Sequence, residues 1–165
     1  MNFPWMDMRV YIATGFDNGP VAAQLSLHLE DRGIGTTVKW WELPLHMETD
    51  PETRSLIALN DLQGVRRADL VVCLMKGDPA TFMSSQLGTH GELGAACALG
   101  VPCLLVSPTR VPGPFCVFHR HPNVVARLVR VVDGNLADII AARIPDQHGA
   151  LWQWQRGPFE WEGDV

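Results

Sequence analysis

Short apolar runs recur along the chain, and segments with apolar residues three or four positions apart lie between them. The runs Met8–Ala13, Asp69–Met75 and Val101–Val106 are almost continuous, which is typical of strands that are covered on both faces. Thr36–Trp41 and Arg127–Val132 are less regular but carry enough strand-forming residues to predict two further strands. The pattern therefore predicts a sheet whose central strands are buried.

Helices are predicted between these strands. Pro20 begins a rough apolar stripe that continues to Gly33. Asp50 and Pro51 are residue types preferred at the N-cap and at the first position of a helix, and apolar residues follow at helical spacing. These apolar residues are Leu56, Leu59, Leu62 and Val65. Two further helices are predicted over Thr89–Leu99, which Gly100 ends, and over Asn135–Ile144.

Strands that alternate with helices place the chain in the α/β class, with a parallel sheet of about five strands. In such a sheet the ligand lies beyond the carboxyl ends of the strands, at the point where the strand order reverses. This rule selects two loops, Thr14–Gly19 after the first strand and Lys76–Thr89 after the third. We expect one domain over residues 1–165, with the Trp-containing tail 145–165 as an interface or a lid.

The charge and the cysteine content exclude several classes of protein. The net charge is −5, only Lys39 and Lys76 are lysines, and no basic stripe exists that would bind nucleic acid. No apolar run is long enough to predict a membrane span, and the first residues lack the pattern of a secretory signal. The cysteines form no C-x-x-C pair, so we expect reduced, buried thiols in a cytoplasmic protein, and zinc binding is poorly supported. These cysteines are Cys73, Cys97, Cys103 and Cys116.

The segment Gly88–Ala96 carries the most informative carboxylate, Glu92. A loop ends there and a helix begins, directly after a buried strand, so Glu92 is predicted in the first helical turn. Free backbone N–H groups and the helix dipole would favour its ionised form, and nearby glycines such as Gly88 would let a ligand approach the backbone. An ionised, positioned carboxylate is suited to attack a sugar carbon. The simpler reading is that acidic residues are common in first helical turns.

A second carboxylate, Asp61, is predicted late in the helix that begins at Pro51. A carboxyl group in an apolar pocket has a raised pKa and can act as an acid, and glycosidic bond cleavage commonly needs one nucleophile and one proton donor. The alternative reading places Asp61 on a solvated helix face. Tyr11, the only tyrosine, lies on the first predicted strand. It is either a core residue or a hydrogen-bond partner of a catalytic carboxylate.

Three segments in register resemble one enzyme family. They are Val10–Ala13, Asn60–Leu62 followed by Ala68–Val72, and Gly88–Ala96. Over Arg9 to Ile144 the chain resembles the nucleoside 2-deoxyribosyltransferases and the related 2′-deoxynucleoside 5′-phosphate N-hydrolases. The resemblance implies a flavodoxin-like, three-layer α/β sandwich around a five-stranded parallel sheet. It also implies that no metal and no organic cofactor takes part.

The same resemblance implies roles for individual residues. Glu92 matches the nucleophile that takes the deoxyribosyl group at C1′, Asp61 matches the carboxyl group that helps to protonate the leaving base, and Tyr11 matches the residue that orients the nucleophile. The loop Gly15–Gly19 matches the part that wraps the 5′ end of the sugar. Family members work as dimers or larger homo-oligomers, and a neighbouring subunit completes each site, here through Asn123. The implied substrate-binding residues are Gly15, Phe16, Asp17, Asn18, Gln86, Gly88 and Asn123.

Two positions depart from the family pattern. Gln86 stands where the family often has an Asp or Ser that contacts the sugar, so recognition of the 3′-hydroxyl is in doubt or falls to Gln86 itself. Asp17 stands where the monophosphate hydrolases tend to have an Arg, and an acidic side chain is unfavourable beside a dianionic phosphate. This difference favours a nucleoside over a nucleotide, unless backbone N–H groups of Gly15–Gly19 bind the phosphate.

The sequence therefore predicts an enzyme that moves a 2-deoxyribosyl group from one base to another. An N-hydrolase of 2′-deoxynucleosides or their 5′-monophosphates is the first alternative. A sensor that binds a nucleoside or nucleotide without turnover is the second, and a scaffold in which Glu92 only stabilises a helix end is the third. The expected partners are a small deoxynucleoside or deoxynucleotide, a free nucleobase and further copies of the chain.

Overall fold

A five-stranded parallel sheet organises the chain in the computed structural model, which describes residues 8–43, 50–75, 87–107, 118, 121–129 and 133–142. Its strands lie in the order β2-β1-β3-β4-β5. The α/β, flavodoxin-like class predicted from the sequence is confirmed. The strands are β1 Arg9–Ala13, β2 Gly35–Thr36, β3 Leu70–Leu74, β4 Cys103–Ser107 and β5 Val124–Val129.

Two pairs of helices flank the sheet. The helix α1 packs against α4, and α2 packs against α3. Within the described part of the chain, no helix has both the length and the hydropathy that a membrane span requires. The helices are α1 Gly19–Glu30, α2 Pro51–Arg67, α3 Leu87–Leu99 and α4 Asp133–Ala141, and short 3-10 turns occupy Phe16–Asn18 and Trp40–Glu42.

The three central strands form the core because their apolar runs have no polar face to present to water. Every residue of β3 and β4 is buried, and in β1 only Arg9 is exposed. The register pairs Val10 with Leu70 and Leu74 with Val106, so the strands end at a common edge. Cys73, Cys97 and Cys103 are buried as predicted and take part in no disulfide bond, whereas Cys116 lies outside the described residues.

Two strands differ from their predicted bounds. β2 covers only Gly35–Thr36 rather than Thr36–Trp41, because the chain leaves the sheet edge and the Trp40 indole turns inward to donate a hydrogen bond to the carbonyl of Ile12 at 2.8 Å. β5 covers Val124–Val129 rather than Arg127–Val132, since its pairing with β4 already begins at Val124. Both shifts follow from pairing and packing partners that are distant in the sequence.

The helix ends follow the local signals more closely. The Asp50 side chain caps α2 as predicted, and it accepts a hydrogen bond from the backbone N–H of Thr53 at 2.9 Å. Gly100 has a φ of +75°, the left-handed conformation that ends α3 at low steric cost for glycine. However, α3 begins at Leu87 rather than at Thr89, and this shift changes the position of Glu92 in the helix.

Of the apolar stripe predicted on α2, Val65 faces the core and the three leucines do not. Leu56, Leu59 and Leu62 are 62%, 59% and 47% exposed, and the residues of α2 that are buried are Gly64 and Val65. The helix therefore approaches the sheet through its C-terminal half. The three exposed leucines form an apolar face, called here the α2 leucine face (Leu56, Leu59 and Leu62).

Candidate active site

The strand order reverses between β1 and β3, so a crevice is expected at the carboxyl ends of these two strands. Thr14 follows β1 there and donates its hydroxyl to the carbonyl of Leu74 at 3.0 Å, while the Asn18 amide donates to the Thr14 hydroxyl at 3.0 Å. The predicted loop Gly15–Gly19 is thus tied to the end of β3. Phe16 projects from this loop with an exposed ring.

Tyr11 is both a core residue and a hydrogen-bond partner of a carboxylate, the two alternatives that the sequence left open. Its ring is completely buried on β1, and its hydroxyl donates a hydrogen bond to Glu92 Oε1 at 2.5 Å. Burial first, and then the nearby carboxylates of Glu92 and Asp61, raise the pKa of Tyr11 far above its ordinary value. The Tyr11 hydroxyl therefore stays protonated near neutral pH and remains a hydrogen-bond donor to Glu92.

Glu92 lies in the second turn of α3, not in the first, because the helix starts earlier than predicted. The expectation that free N–H groups and the helix dipole favour its ionised form is therefore wrong. Burial raises the pKa of Glu92 to about 8, the negative charge of Asp61 also raises it, and the hydrogen bond from Tyr11 lowers it. The ionised form depends on Tyr11 rather than on the helix end.

Asp61 joins the same cluster from α2. Burial raises the pKa of its carboxyl group to about 6, and a hydrogen bond with Tyr11 lowers it. The pKa of Asp61 shifts in the direction expected for a carboxyl group in an apolar pocket, and its half-buried side chain does not lie on a fully solvated face. Its Oδ1 atom is buried and has no hydrogen-bond partner among the described residues. A ligand group that binds this oxygen would satisfy it.

An aromatic groove of about 340 Å³ lies beside the first loop and was not predicted. Phe16 and Trp40 meet edge to face with ring centroids 5.7 Å apart, and Trp40 meets Trp41 in the same way at 5.5 Å. The adjacent tryptophans after the second strand were the available signal, but they were assigned to the strand itself. The groove does not include the two carboxyl groups. It is lined by Phe16, Gly19, Pro20, Ala23, Trp40, Trp41 and Leu43.

The remaining predicted residues are not gathered at this crevice. Asn123 precedes β5, at the amino edge of the sheet, and its amide donates to the carbonyl of Cys97 in the same chain at 3.3 Å. Its contribution to a neighbouring subunit's site stays a prediction. Gly88 is the second residue of α3 and has open space around the position a Cβ would take. Gln86 and most of the loop Lys76–Thr89 lie outside the described residues.

No set of three His, Cys, Asp or Glu side chains in the described ranges is arranged to hold a metal ion. The chemistry available from the described groups is that of a buried acid, a second buried carboxyl group and a tyrosine between them. One carboxylate next to one protonated carboxyl group is the arrangement used to break glycosidic bonds.

Several solved structures are similar to this chain. The CMP N-glycosidase of Clostridium botulinum is 18% identical, with coverage of 81% of this chain and 98% of that chain and a TM-score of 0.55, which shows a common fold. The 2-deoxyribosyltransferase of Bacillus psychrosaccharolyticus is 26% identical over 64% of this chain and 77% of that chain, with a TM-score of 0.48. A 2-desoxiribosyltransferase from Leishmania mexicana is 20% identical over 64% and 67% of the two chains, with a TM-score of 0.47.

The comparison with curated proteins found no significant match. The family profile described as nucleoside 2-deoxyribosyltransferase matches residues 10–125. This span contains all three residues of the buried cluster, Tyr11, Asp61 and Glu92. The chain therefore belongs to the nucleoside 2-deoxyribosyltransferase family.

Proposed function

We propose that the chain cleaves the N-glycosidic bond of 2′-deoxynucleosides through a covalent deoxyribosyl–Glu92 intermediate and transfers the sugar to another base. The observation that carries this proposal is the hydrogen bond from Tyr11 to Glu92 beside the half-buried Asp61. Family membership supports the assignment of the N-glycosidic bond as the bond that breaks. The cluster supports the assignment of Glu92 and Asp61 as the residues that break it.

In the first step a carboxylate oxygen of Glu92 attacks C1′ of the sugar. The bond between C1′ and the base nitrogen breaks, its electron pair goes to the base, and Asp61 delivers a proton to the leaving base. A nitrogen of a second base then attacks C1′, the bond to Glu92 breaks, and Asp61 takes up the proton that the new base loses. Nucleophile and acid thereby both return to their starting states.

Tyr11 distinguishes the two carboxyl groups. A tyrosine hydroxyl has one proton to donate, and it is given to Glu92 Oε1, which leaves the other oxygen of Glu92 available for attack. A protonated Asp61 can in turn donate to the oxygen of the same hydroxyl. The hydrogen bond from Tyr11 stabilises the negative charge on Glu92 that the reaction needs, and it opposes the burial that raises the pKa of Glu92 to about 8.

Hydrolysis is the second candidate, in which water replaces the accepting base. The Clostridium botulinum enzyme of the same fold is a CMP N-glycosidase, so a nucleotide substrate is tested as well. Asp17 in the first loop argues against this substrate, because its charge would oppose the phosphate. A binding protein without turnover is the outcome that remains if neither reaction occurs.

We also propose that the active form is a homodimer or a larger homo-oligomer with shared sites. The support is the α2 leucine face, which is exposed in the single chain and lies on the helix that carries Asp61. Large apolar side chains grouped on one face commonly mark a surface that a partner covers.

The test is to incubate the protein with deoxyinosine or with deoxyadenosine monophosphate, each with and without cytosine, and to separate the products by chromatography. A deoxycytidine peak that depends on cytosine establishes transfer, whereas free base without exchange establishes hydrolysis. Release of adenine from the monophosphate would show that Asp17 does not prevent phosphate binding. No product from either substrate would overturn the proposal of an enzyme and favour a binding protein.

Variants in the same assay test the assigned residues. Glu92→Ala should lower the rate by at least about a thousandfold, Asp61→Ala by roughly a hundredfold to ten-thousandfold, and Tyr11→Phe by less than either. Glu52→Ala, an exposed glutamate in the first turn of α2, is the matched control and should keep full activity. Full activity in Glu92→Ala would remove the covalent mechanism.

A further inference from the structure

Gly64 lies inside α2 at a point where no side chain fits. A Cβ atom built there would lie 2.6 Å from Val38 Cγ2 and 2.8 and 2.9 Å from the Tyr11 ring atoms Cδ2 and Cε2. Carbon atoms in van der Waals contact are about 3.5–4.0 Å apart. The helix therefore touches the ring of Tyr11 with its bare backbone.

The neighbours of Gly64 have little freedom to move away. The Tyr11 ring is completely buried, and its hydroxyl is held by the hydrogen bond to Glu92. Val38 is β-branched and half-buried, so its side chain is stiff about χ1. An added methyl group at Gly64 must consequently push α2 away from β1 or tilt the ring of Tyr11.

Gly64 also shares a helix face with Asp61. Residues three positions apart lie side by side on a helix, so the depth at which Gly64 packs determines the depth at which Asp61 approaches Tyr11. Glycine is otherwise unfavourable inside a helix, by about 1 kcal/mol relative to alanine. The close contact between the helix backbone and the Tyr11 ring explains why glycine occupies this position despite its cost to the helix.

We infer that Gly64 is a positioning residue for the reaction: its missing side chain lets α2 rest on the Tyr11 ring, so that one hydroxyl meets both Glu92 and Asp61. The expected effect of Gly64 on the reaction rate rests on the proposed function, whereas its effect on the position of the Tyr11 ring does not. The placement of the ring and the hydroxyl is a property of the folded chain and is measurable without substrate.

The single tyrosine allows a direct test. Protein grown with tyrosine labelled with ¹³C at Cζ gives one Tyr11 resonance, and the hydrogen bond makes its chemical shift follow the ionisation of Glu92 and Asp61. In Gly64→Ala we expect this resonance to move and its pH-dependent step to shrink or shift. In the base-exchange assay we expect kcat to fall on the order of tenfold to a hundredfold, with KM nearly unchanged.

Gln63→Ala, at an exposed position of the same helix, is the control and should keep the wild-type resonance, titration and kcat. In a Tyr11→Phe background, Gly64→Ala should cost much less activity, because no hydroxyl remains to be misplaced. An equal loss in both backgrounds would show a role that does not pass through the hydroxyl, and would overturn the inference.

If Gly64→Ala fails to fold, the double variant Gly64→Ala/Val38→Ala removes the closest clash and leaves only the contact with the ring. A wild-type Tyr11 resonance and titration in a folded Gly64→Ala variant, or in that double variant, would overturn the inference whether or not the wild type is active. An altered resonance in a protein whose wild type shows no base exchange would support the placement of Tyr11 and count against the proposed function alone.

Discussion

Tyr11, Glu92 and Asp61 show how burial and one tyrosine shift the pKa of two ordinary carboxyl groups. Burial raises the pKa of both carboxyl groups, to about 8 and about 6, and Tyr11 opposes the rise by hydrogen bonding. The pair consequently holds one proton between these two values. At their ordinary pKa values both carboxyl groups would be ionised at neutral pH, and neither would hold a proton to donate.

The proposed reaction should therefore have a bell-shaped pH dependence. Below about pH 6 both carboxyl groups are protonated and no nucleophile exists, and above about pH 8 both are ionised and no acid exists. We expect kcat/KM for base exchange to be highest between these limits. In Tyr11→Phe both limbs should move to higher pH, because hydrogen bonding with Tyr11 lowers the pKa of both carboxyl groups. A flat profile between pH 5 and 9 would contradict this account.

The same burial should make Glu92 destabilising at high pH. Below its ordinary pKa of 4.5 the group is protonated in both the folded and the unfolded chain and has no cost. Between pH 4.5 and about 8 the unfolded chain ionises Glu92 while the folded chain keeps it protonated, so the free energy of unfolding falls across this range and levels off above it. Glu92→Gln should then raise the free energy of unfolding at pH 9 by on the order of 3 kcal/mol, with little change at pH 4.

Denaturant unfolding of wild type and variant at the two pH values measures this difference, and Glu52→Gln is the exposed control. A stabilisation of Glu92→Gln that is equal at both pH values would show that ionisation of Glu92 is not its cause. A stabilised variant that has lost base exchange would show that the folded chain accommodates Glu92 at a cost to its stability.

At the scale of the elements, α2 carries most of what was difficult to predict. Its start was predicted correctly, because the Asp50 cap depends on residues within one turn of each other. Its buried face was not predicted correctly, because leucines at helical spacing do not reveal whether the sheet or another surface packs against them. The packing of Gly64 on Tyr11 chose a different face of the helix for the core.

The cap of α2 gives an element-scale prediction. Asp50 accepts hydrogen bonds from the backbone N–H and the hydroxyl of Thr53, which lower its pKa. Asp50→Ala should lower Tm at neutral pH, and the effect should fade as the pH falls below the ordinary pKa of 3.8, where the cap loses its charge. Asp50→Asn keeps an accepting oxygen and should lose less. Equal losses in both variants, measured by thermal unfolding, would contradict the capping role.

At the scale of the whole molecule, the exposed leucines of α2 predict self-association. We expect the wild type to sediment as a dimer or a larger oligomer at micromolar concentration. Leu59→Glu should shift it towards the monomer, because burying a charge in an apolar interface is unfavourable. Leu27→Glu, an equally exposed leucine on α1, is the matched control for the added charge. A monomeric wild type, or an oligomer that Leu59→Glu leaves intact, would contradict the proposed interface.

The sequence by itself determined the class of the fold and the identities of the three cluster residues. Short continuous apolar runs such as those of β3 and β4 are typical of buried strands, and the motif around Glu92 is local, so the sequence alone indicates both. The alternation of strands and helices along the chain and the cap of α2 follow from equally local signals.

The tertiary structure alone decided what these residues do to one another. It moved Glu92 out of the first helical turn, replaced the helix dipole by the Tyr11 hydroxyl as the group that stabilises the carboxylate, and exposed the leucine face. It also placed Gly64 against Tyr11. The physical reason is that a pKa, a buried face and a close approach each depend on residues that are distant in the chain, and the sequence does not give the distance between them.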